Sequence, residues 1–124
     1  MSTVLVVEDS RTQRQMICDL LADNAFATID AGDGREALSK AHYAHPDIVI
    51  LDIIIPQLNG YEVCRQLKAD PRTKDIPVIM CSSKSLNSDH YWGLKNGADA
   101  YISKPFQPQE LIETVKSLLR KQTA

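Results

Sequence analysis

The sequence predicts an α/β fold: a doubly wound parallel sheet of five strands in the order 2-1-3-4-5, with helices on both faces. Three observations predict it. Five short runs rich in β-branched residues recur at regular intervals: Thr3 to Val7, Ala27 to Asp30, Asp47 to Leu51, Pro77 to Cys81 and Asp99 to Ile102. Helix-sized segments separate them, giving strand and helix in alternation five times. The third and fourth runs are apolar almost throughout rather than alternating, as strands are when helices cover both faces. Right-handed crossovers leave few topologies for such a chain, and the flavodoxin-like three-layer sandwich is the common one.

Each helix carries its own punctuation. Ser10-Arg-Thr-Gln13 reads as a capping box ahead of Met16, Ile17, Leu20 and Leu21 at helical spacing. Asp33-Gly-Arg-Glu36 and Asn59-Gly-Tyr-Glu62 play the same part before the second and third helices. Asn96-Gly97 marks the glycine stop of the fourth. Pro108 suits the first position of the fifth, whose Leu111, Ile112, Val115, Leu118 and Leu119 form one apolar stripe.

A chain of 124 residues that is 44% hydrophobic closes one core, so residues 1–124 are expected to form a single domain with no effector domain beside it. The net charge of −2 argues against a nucleic-acid or anionic-membrane partner. The longest apolar run, Ile48 to Ile55, is too short to span a bilayer and contains Asp52. No leader pattern opens the chain, which reads as cytoplasmic. Cys18, Cys64 and Cys81 are odd in number and lie among apolar residues, as core thiols do in a reducing compartment. His42, His45 and His90 show no metal-ligand spacing.

In open α/β sheets ligands bind beyond the carboxyl ends of the strands, where the winding reverses. The strands end at Glu8-Asp9, Asp52, Ser82-Ser83 and Lys104-Pro105, so carboxylates, hydroxyls and an ammonium are expected on one edge. Asp52 carries most weight, because it interrupts a run of isoleucines where an unpartnered carboxylate loses its hydration. Mg²⁺ supplies a reason for it: Asp9 and Asp52 are candidate ligands, with Glu8 reaching through water. A carboxylate at a metal with Lys104 opposite and Ser82 as hydroxyl donor is equipped to accept a phosphoryl group. Blander readings stand beside these. Glu8 and Asp9 also favour the positive end of the first helix, Ser82 and Ser83 are common turn residues, and Tyr101 suits an ordinary half-buried strand aromatic.

Taken together, the acidic pair Glu8-Asp9, Asp52-Ile-Ile-Ile-Pro56-Gln-Leu-Asn-Gly60, Ser82 and Lys104-Pro105-Phe106 resemble the response-regulator receiver domain of two-component signalling. The likeness covers nearly the whole chain. It implies that Asp52 takes a phosphoryl group from a phosphohistidine on a histidine kinase. Mg²⁺ would be held by Asp9, Asp52 and the Ile54 backbone carbonyl, and Lys104 would pair with the aspartyl phosphate. Ser82 and Tyr101 would form a coupled switch, Tyr101 rotating into space that Ser82 releases. The output face would run from about His90 to Lys121 and be read by a downstream protein; it includes His90 and Tyr91 as exposed contact residues and Trp92, which reads as helix packing, the chain being a monomer or weak dimer. A cis bond before Pro105 is a further family feature. The run from Cys81 to Ala98 is similar to single-domain, chemotaxis-like receivers that control type IV pili and twitching motility.

This sequence departs from the commoner pattern in three places. Glu8 stands where Asp is usual, Ser82 where Thr is usual and Ile55 where Met is frequent; each keeps the needed functional group. Ile54 and Lys84 flank the path of attacking water in that family. A receiver assists its own phosphorylation and dephosphorylation without being a turnover enzyme. Two other classes fit less well. A phosphoester hydrolase with an aspartyl intermediate places an acid two residues after the nucleophile, where this chain has Ile54. A flavin module wants a Ser/Thr/Gly-rich loop where Glu8-Asp9 stands. An interaction domain that is never phosphorylated is compatible with the same fold.

Overall fold

The computed structural model describes residues 1–84 and 86–123. Ser85, within the Cys81 to Ala98 run, lies outside the described residues. The elements are β1 (Thr3–Val7), α1 (Arg11–Asp23), β2 (Ala27–Ala31), α2 (Gly34–Ala44), β3 (Ile48–Leu51), α3 (Gly60–Ala69), β4 (Val78–Ser82), α4 (Asn87–Lys95), β5 (Ala100–Ser103) and α5 (Pro108–Thr123). The strands form one parallel sheet in the expected order, β2-β1-β3-β4-β5.

Side chains alternate across this sheet and feed two cores. Leu5, Val7, Val49, Leu51 and Met80 pack with Ala37 and Ala41 of α2 and with Val63, Cys64 and Leu67 of α3. Val4, Val6, Ile48, Ile50, Ile79 and Ile102 pack on the other face with Ile17 and Leu21 of α1 and with Leu111, Ile112 and Val115 of α5. Both faces being covered, the central strands need apolar residues at every position, which is why their sequences do not alternate.

Strand starts differ from the sequence reading by a residue, for a local reason. Asp47 and Asp99 do not pair as strand residues with their side chains free. Asp47 Oδ2 accepts the Thr3 N–H at 2.7 Å, and Asp99 Oδ2 accepts the Val78 N–H at 2.8 Å and the Lys68 ammonium at 2.9 Å. The capping boxes are half-formed. Ser10, Asp33 and Asn59 each accept the backbone N–H of the third residue on, but Gln13 and Glu36 do not reach back to the cap. Glu8 takes the Ser10 N–H instead, and Glu36 takes that of Gly32. Asn96 and Gly97 end α4 as expected, Gly97 at φ +103°.

Two apolar residues of α1 are less buried than their spacing suggests, although Cys18 packs against the second core. Met16 is 57% exposed, being rotated away from Ile17 and Leu21 on α1, and Cys18 is only half-buried. Burial pushes the thiols of Cys64 and Cys81 up to about 12. Because the thiolate is the reactive form, an alkylating reagent should modify Cys18 well ahead of the other two in native buffer. Equal rates at all three would mean that the core opens on the timescale of labelling.

Candidate functional site

The strand register sets the site. Val7 lies opposite Leu51, Leu51 opposite Met80 and Ser82 opposite Ser103, so the residues that follow these strands emerge on one edge of the sheet. Glu8 follows β1 and is 3% exposed, while Asp52 follows β3 and is 8% exposed. Ser82 closes β4 fully buried. Lys104 follows β5, joined to Pro105 by the cis peptide that the resemblance implies.

The Lys104 ammonium donates to Glu8 Oε2 at 2.6 Å, to Gln13 Oε1 at 2.7 Å and to Asp52 Oδ2 at 3.0 Å. An ammonium has three protons, and each has a partner here. The second oxygen of each acid is also engaged: Glu8 Oε1 accepts from Ser10 N at 3.2 Å and Asp52 Oδ1 from Ile54 N at 3.2 Å.

One cation between two buried acids separates their affinities for a proton. Burial raises the pKa of Glu8 above the ordinary glutamate value, and Lys104 offsets this only in part. Burial also pushes on Asp52, but hydrogen bonding with Glu8, Ser82 and Lys104 outweighs it and holds that carboxyl below its ordinary value. Lys104 loses hydration as well, yet the two carboxylates keep its pKa above the usual lysine value. Of the two acids, Asp52 is therefore the one that stays ionised.

A cavity of about 1370 Å³ opens over this edge, lined by Glu8, Asp9, Asp52, Ile54, Ser83 and Lys104 and continuing along α1 past Met16 and Leu20. Asp9 is exposed, and Ile54 is 57% exposed. Among the described residues no group of three acids, histidines or cysteines stands ready-made for a metal ion. The reason is visible in the contacts: Lys104 occupies the space between Glu8 and Asp52. The donor set itself is all hard oxygen, which suits Mg²⁺, an ion that keeps several waters and needs only one or two carboxylates. Asp9 at the mouth and Asp52 at the floor of one cavity meet that requirement.

Ser82 and Tyr101 are brought together. Tyr101 is half-buried, its hydroxyl donates to the Lys84 carbonyl, and it interacts with the Ser82 hydroxyl. Of the two residues expected to be exposed on the output face, Tyr91 is so (56%), in edge contact with Trp92, which is itself 52% exposed although its sequence position reads as helix packing. His90 is not. It is half-buried because its ring stacks on Tyr101.

A profile of the response regulator receiver domain matches residues 4–116. The chain belongs to that family. Receiver domains are phosphoacceptor switches that bind Mg²⁺ at their acidic site and interact with histidine kinases and downstream targets, and this receiver has the fold of its relatives. It is 37% identical over 118 residues to the phosphate regulon transcriptional regulatory protein PhoB of Escherichia coli, covering 95% of this chain and 52% of that protein. The chain thus spans about half the length of the curated relatives it matches. The solved chemotaxis response regulator CheY4 of Vibrio cholerae superimposes with a TM-score of 0.89 at 33% identity, covering 95% of this chain and 98% of that one. The receiver domain of Francisella response regulator 1452 does so with a TM-score of 0.92 at 31% identity, covering 98% and 99%. No helix among the described residues of the receiver is long and apolar enough to cross a membrane.

Two site residues escaped the sequence reading. Gln13 was legible only as a cap residue, and nothing local marks a contact with Lys104 across 91 positions. Arg14 anchors the turn after β1, donating to the Glu8 carbonyl at 2.7 Å and to Asp30 at 2.9 Å. An arginine one turn into α1 facing the end of β2 was the available signal.

Proposed function

We propose that this receiver accepts a phosphoryl group on Asp52 from a histidine kinase, and that the change is read at the face formed by α4, β5 and α5. The observation that supports it most is the Asp52 carboxylate, buried after Leu51 at the end of β3 yet kept ionised 3.0 Å from a lysine ammonium. A carboxylate oxygen of Asp52 forms the new bond to phosphorus as the bond from phosphorus to the imidazole nitrogen of the kinase breaks. The imidazole leaves with that electron pair and regains a proton. Lys104 stabilises negative charge gathering on the phosphoryl oxygens, and the Ser82 hydroxyl, at the end of β4, offers a further donor. Asp9, Asp52 and the Ile54 carbonyl would hold Mg²⁺, which supplies charge neutralisation at the transferring group. Ile54 and Lys84, two residues beyond Asp52 and Ser82, border the approach of water and so influence how long the acyl phosphate survives.

The chain acts in this reading as a cytoplasmic switch rather than a turnover enzyme. The likeness of its β4–α4 segment to receivers of pilus-based motility makes that output the first to try. Incubation with a small phosphodonor and Mg²⁺ should add one phosphoryl group to the native protein and none to Asp52→Asn, as read by intact mass. Equal labelling of both would exclude Asp52 as acceptor. Magnesium alone should also stabilise the fold: at ten times its dissociation constant the gain is about 1.4 kcal/mol. Urea midpoints that coincide with and without magnesium would remove the metal from the site.

A further inference from the structure

The ring of Tyr101 is held at three points. Its hydroxyl donates to the Lys84 carbonyl, its face stacks on His90 with centroids 4.0 Å apart, and its edge lies against the helix at Gly93. A Cβ on Gly93 would meet Tyr101 Cδ2 at 2.9 Å, so α4 sits directly on the tyrosine. The imidazole is itself tied down, with His90 Nε2 3.1 Å from the Ser103 hydroxyl on the same strand as Tyr101. Without that bond only the stack holds the His90 ring on the tyrosine.

We infer that His90 is a positioning residue, latched to Ser103, that holds Tyr101 against the β4–α4 loop and so sets the resting balance of the switch. The inference rests on the reading of Tyr101 as the switch aromatic. A single hydrogen bond and an aromatic stack are each modest, but together they bias a two-state side chain by more than the hydroxyl contact alone. The face offered to a partner then depends on His90 as well as on Asp52, because the Tyr101 ring packs against α4 in the resting state and gives up that contact when it leaves the loop.

The test uses the full chain with its tyrosine rings ¹³C-labelled, the Tyr101 signals being assigned with Tyr101→Phe. In the unphosphorylated protein Ser103→Ala should lower the equilibrium constant for the loop-bound ring about fivefold. His90→Phe keeps the stack and loses the bond, so it should match Ser103→Ala, and the double variant should add nothing further. His90→Ala loses both contacts and should lower the constant about tenfold or more. Urea unfolding of Ser103→Ala and His90→Phe that stays cooperative, with no unfolded fraction in native buffer, separates this effect from misfolding. Tyr101 signals identical in the native protein and in these variants would overturn the inference. So would signals that shift among the variants but not on phosphorylation of Asp52, since Tyr101 would then not be the switch. Failure of Asp52 to label would instead strike the phosphoacceptor reading, while the resting signals still decide for or against the latch.

Discussion

Lys104→Met is expected to slow phosphoryl transfer to Asp52 by about 10²- to 10³-fold, the usual cost of removing one preorganised donor from developing charge. The same substitution should destabilise the fold at neutral pH. Lys104 is the cation shared by Glu8 and Asp52, whose side chains are 4% and 10% exposed. Losing it leaves two buried carboxylates facing each other, with the Ser10 and Ile54 N–H groups and, for Asp52, the Ser82 hydroxyl as remaining donors. Breaking a fully buried pair costs ~3–5 kcal/mol, and this pocket opens to water, so about 2 kcal/mol is expected.

The pH dependence has a definite sign. In the native protein Asp52 titrates below its ordinary value, so its contribution is present above the ordinary aspartate pKa and is lost as pH falls through the depressed one. Glu8 titrates above its ordinary value, so it favours the fold in acid and loses that contribution as pH rises through the raised pKa. Removing the ammonium pushes both acids upward, because burial and mutual repulsion act unopposed. The deficit of Lys104→Met should therefore shrink on moving from about pH 7.5 to about pH 5 as the pair takes up a proton. Urea unfolding at the two pH values measures it, and a deficit that stays constant would show that the carboxylates are not coupled through Lys104. Magnesium should stabilise this variant more than the native protein, since the ion no longer competes with an ammonium for the same oxygens.

How much of this was legible in the sequence follows the range of the interactions. Strand order came from the alternation of runs and the handedness of crossovers, and the edge carrying Glu8, Asp52, Ser82 and Lys104 came from where each run ended. Those are properties of residues a few positions apart, combined with one topological rule. What escaped was set by side chains choosing among partners distant in sequence. Gln13 has the composition of a cap residue, yet its carboxamide turns to Lys104, because Glu8 already satisfies the Ser10 N–H. His90 carries the polarity of a surface residue, yet Gly93 lets α4 settle onto Tyr101 and brings the two rings face to face. Asp9 reads like Glu8 in sequence, but the chain bends just past the end of β1, which buries Glu8 in the site and leaves Asp9 exposed at the rim.

Gly60→Ala should damage both the fold and the site from outside the ring of charged residues. Gly60 opens α3, and its N–H bonds the Ile53 carbonyl at 2.8 Å, fastening the helix to the loop that carries Asp52. A Cβ there would lie 2.3 Å from the Asp52 carbonyl oxygen and 2.7 Å from Ile53 Cα, both backbone atoms that no rotamer change can withdraw. The helix or the loop must shift, at a cost of about 1–3 kcal/mol for overpacking. A displacement of about 1 Å at the acceptor is enough to lower its reaction rate on the order of 10²-fold. Gly32→Ala is the matching control: its Cβ would meet only the end of the Arg14 side chain at 3.4 Å and Glu36 Oε1 at 3.9 Å. Urea midpoints and phosphodonor labelling rates, measured on both variants, separate the cases. If Gly60→Ala labelled at the native rate, the tight approach of α3 to the Asp52 backbone would have no part in aiming the carboxylate.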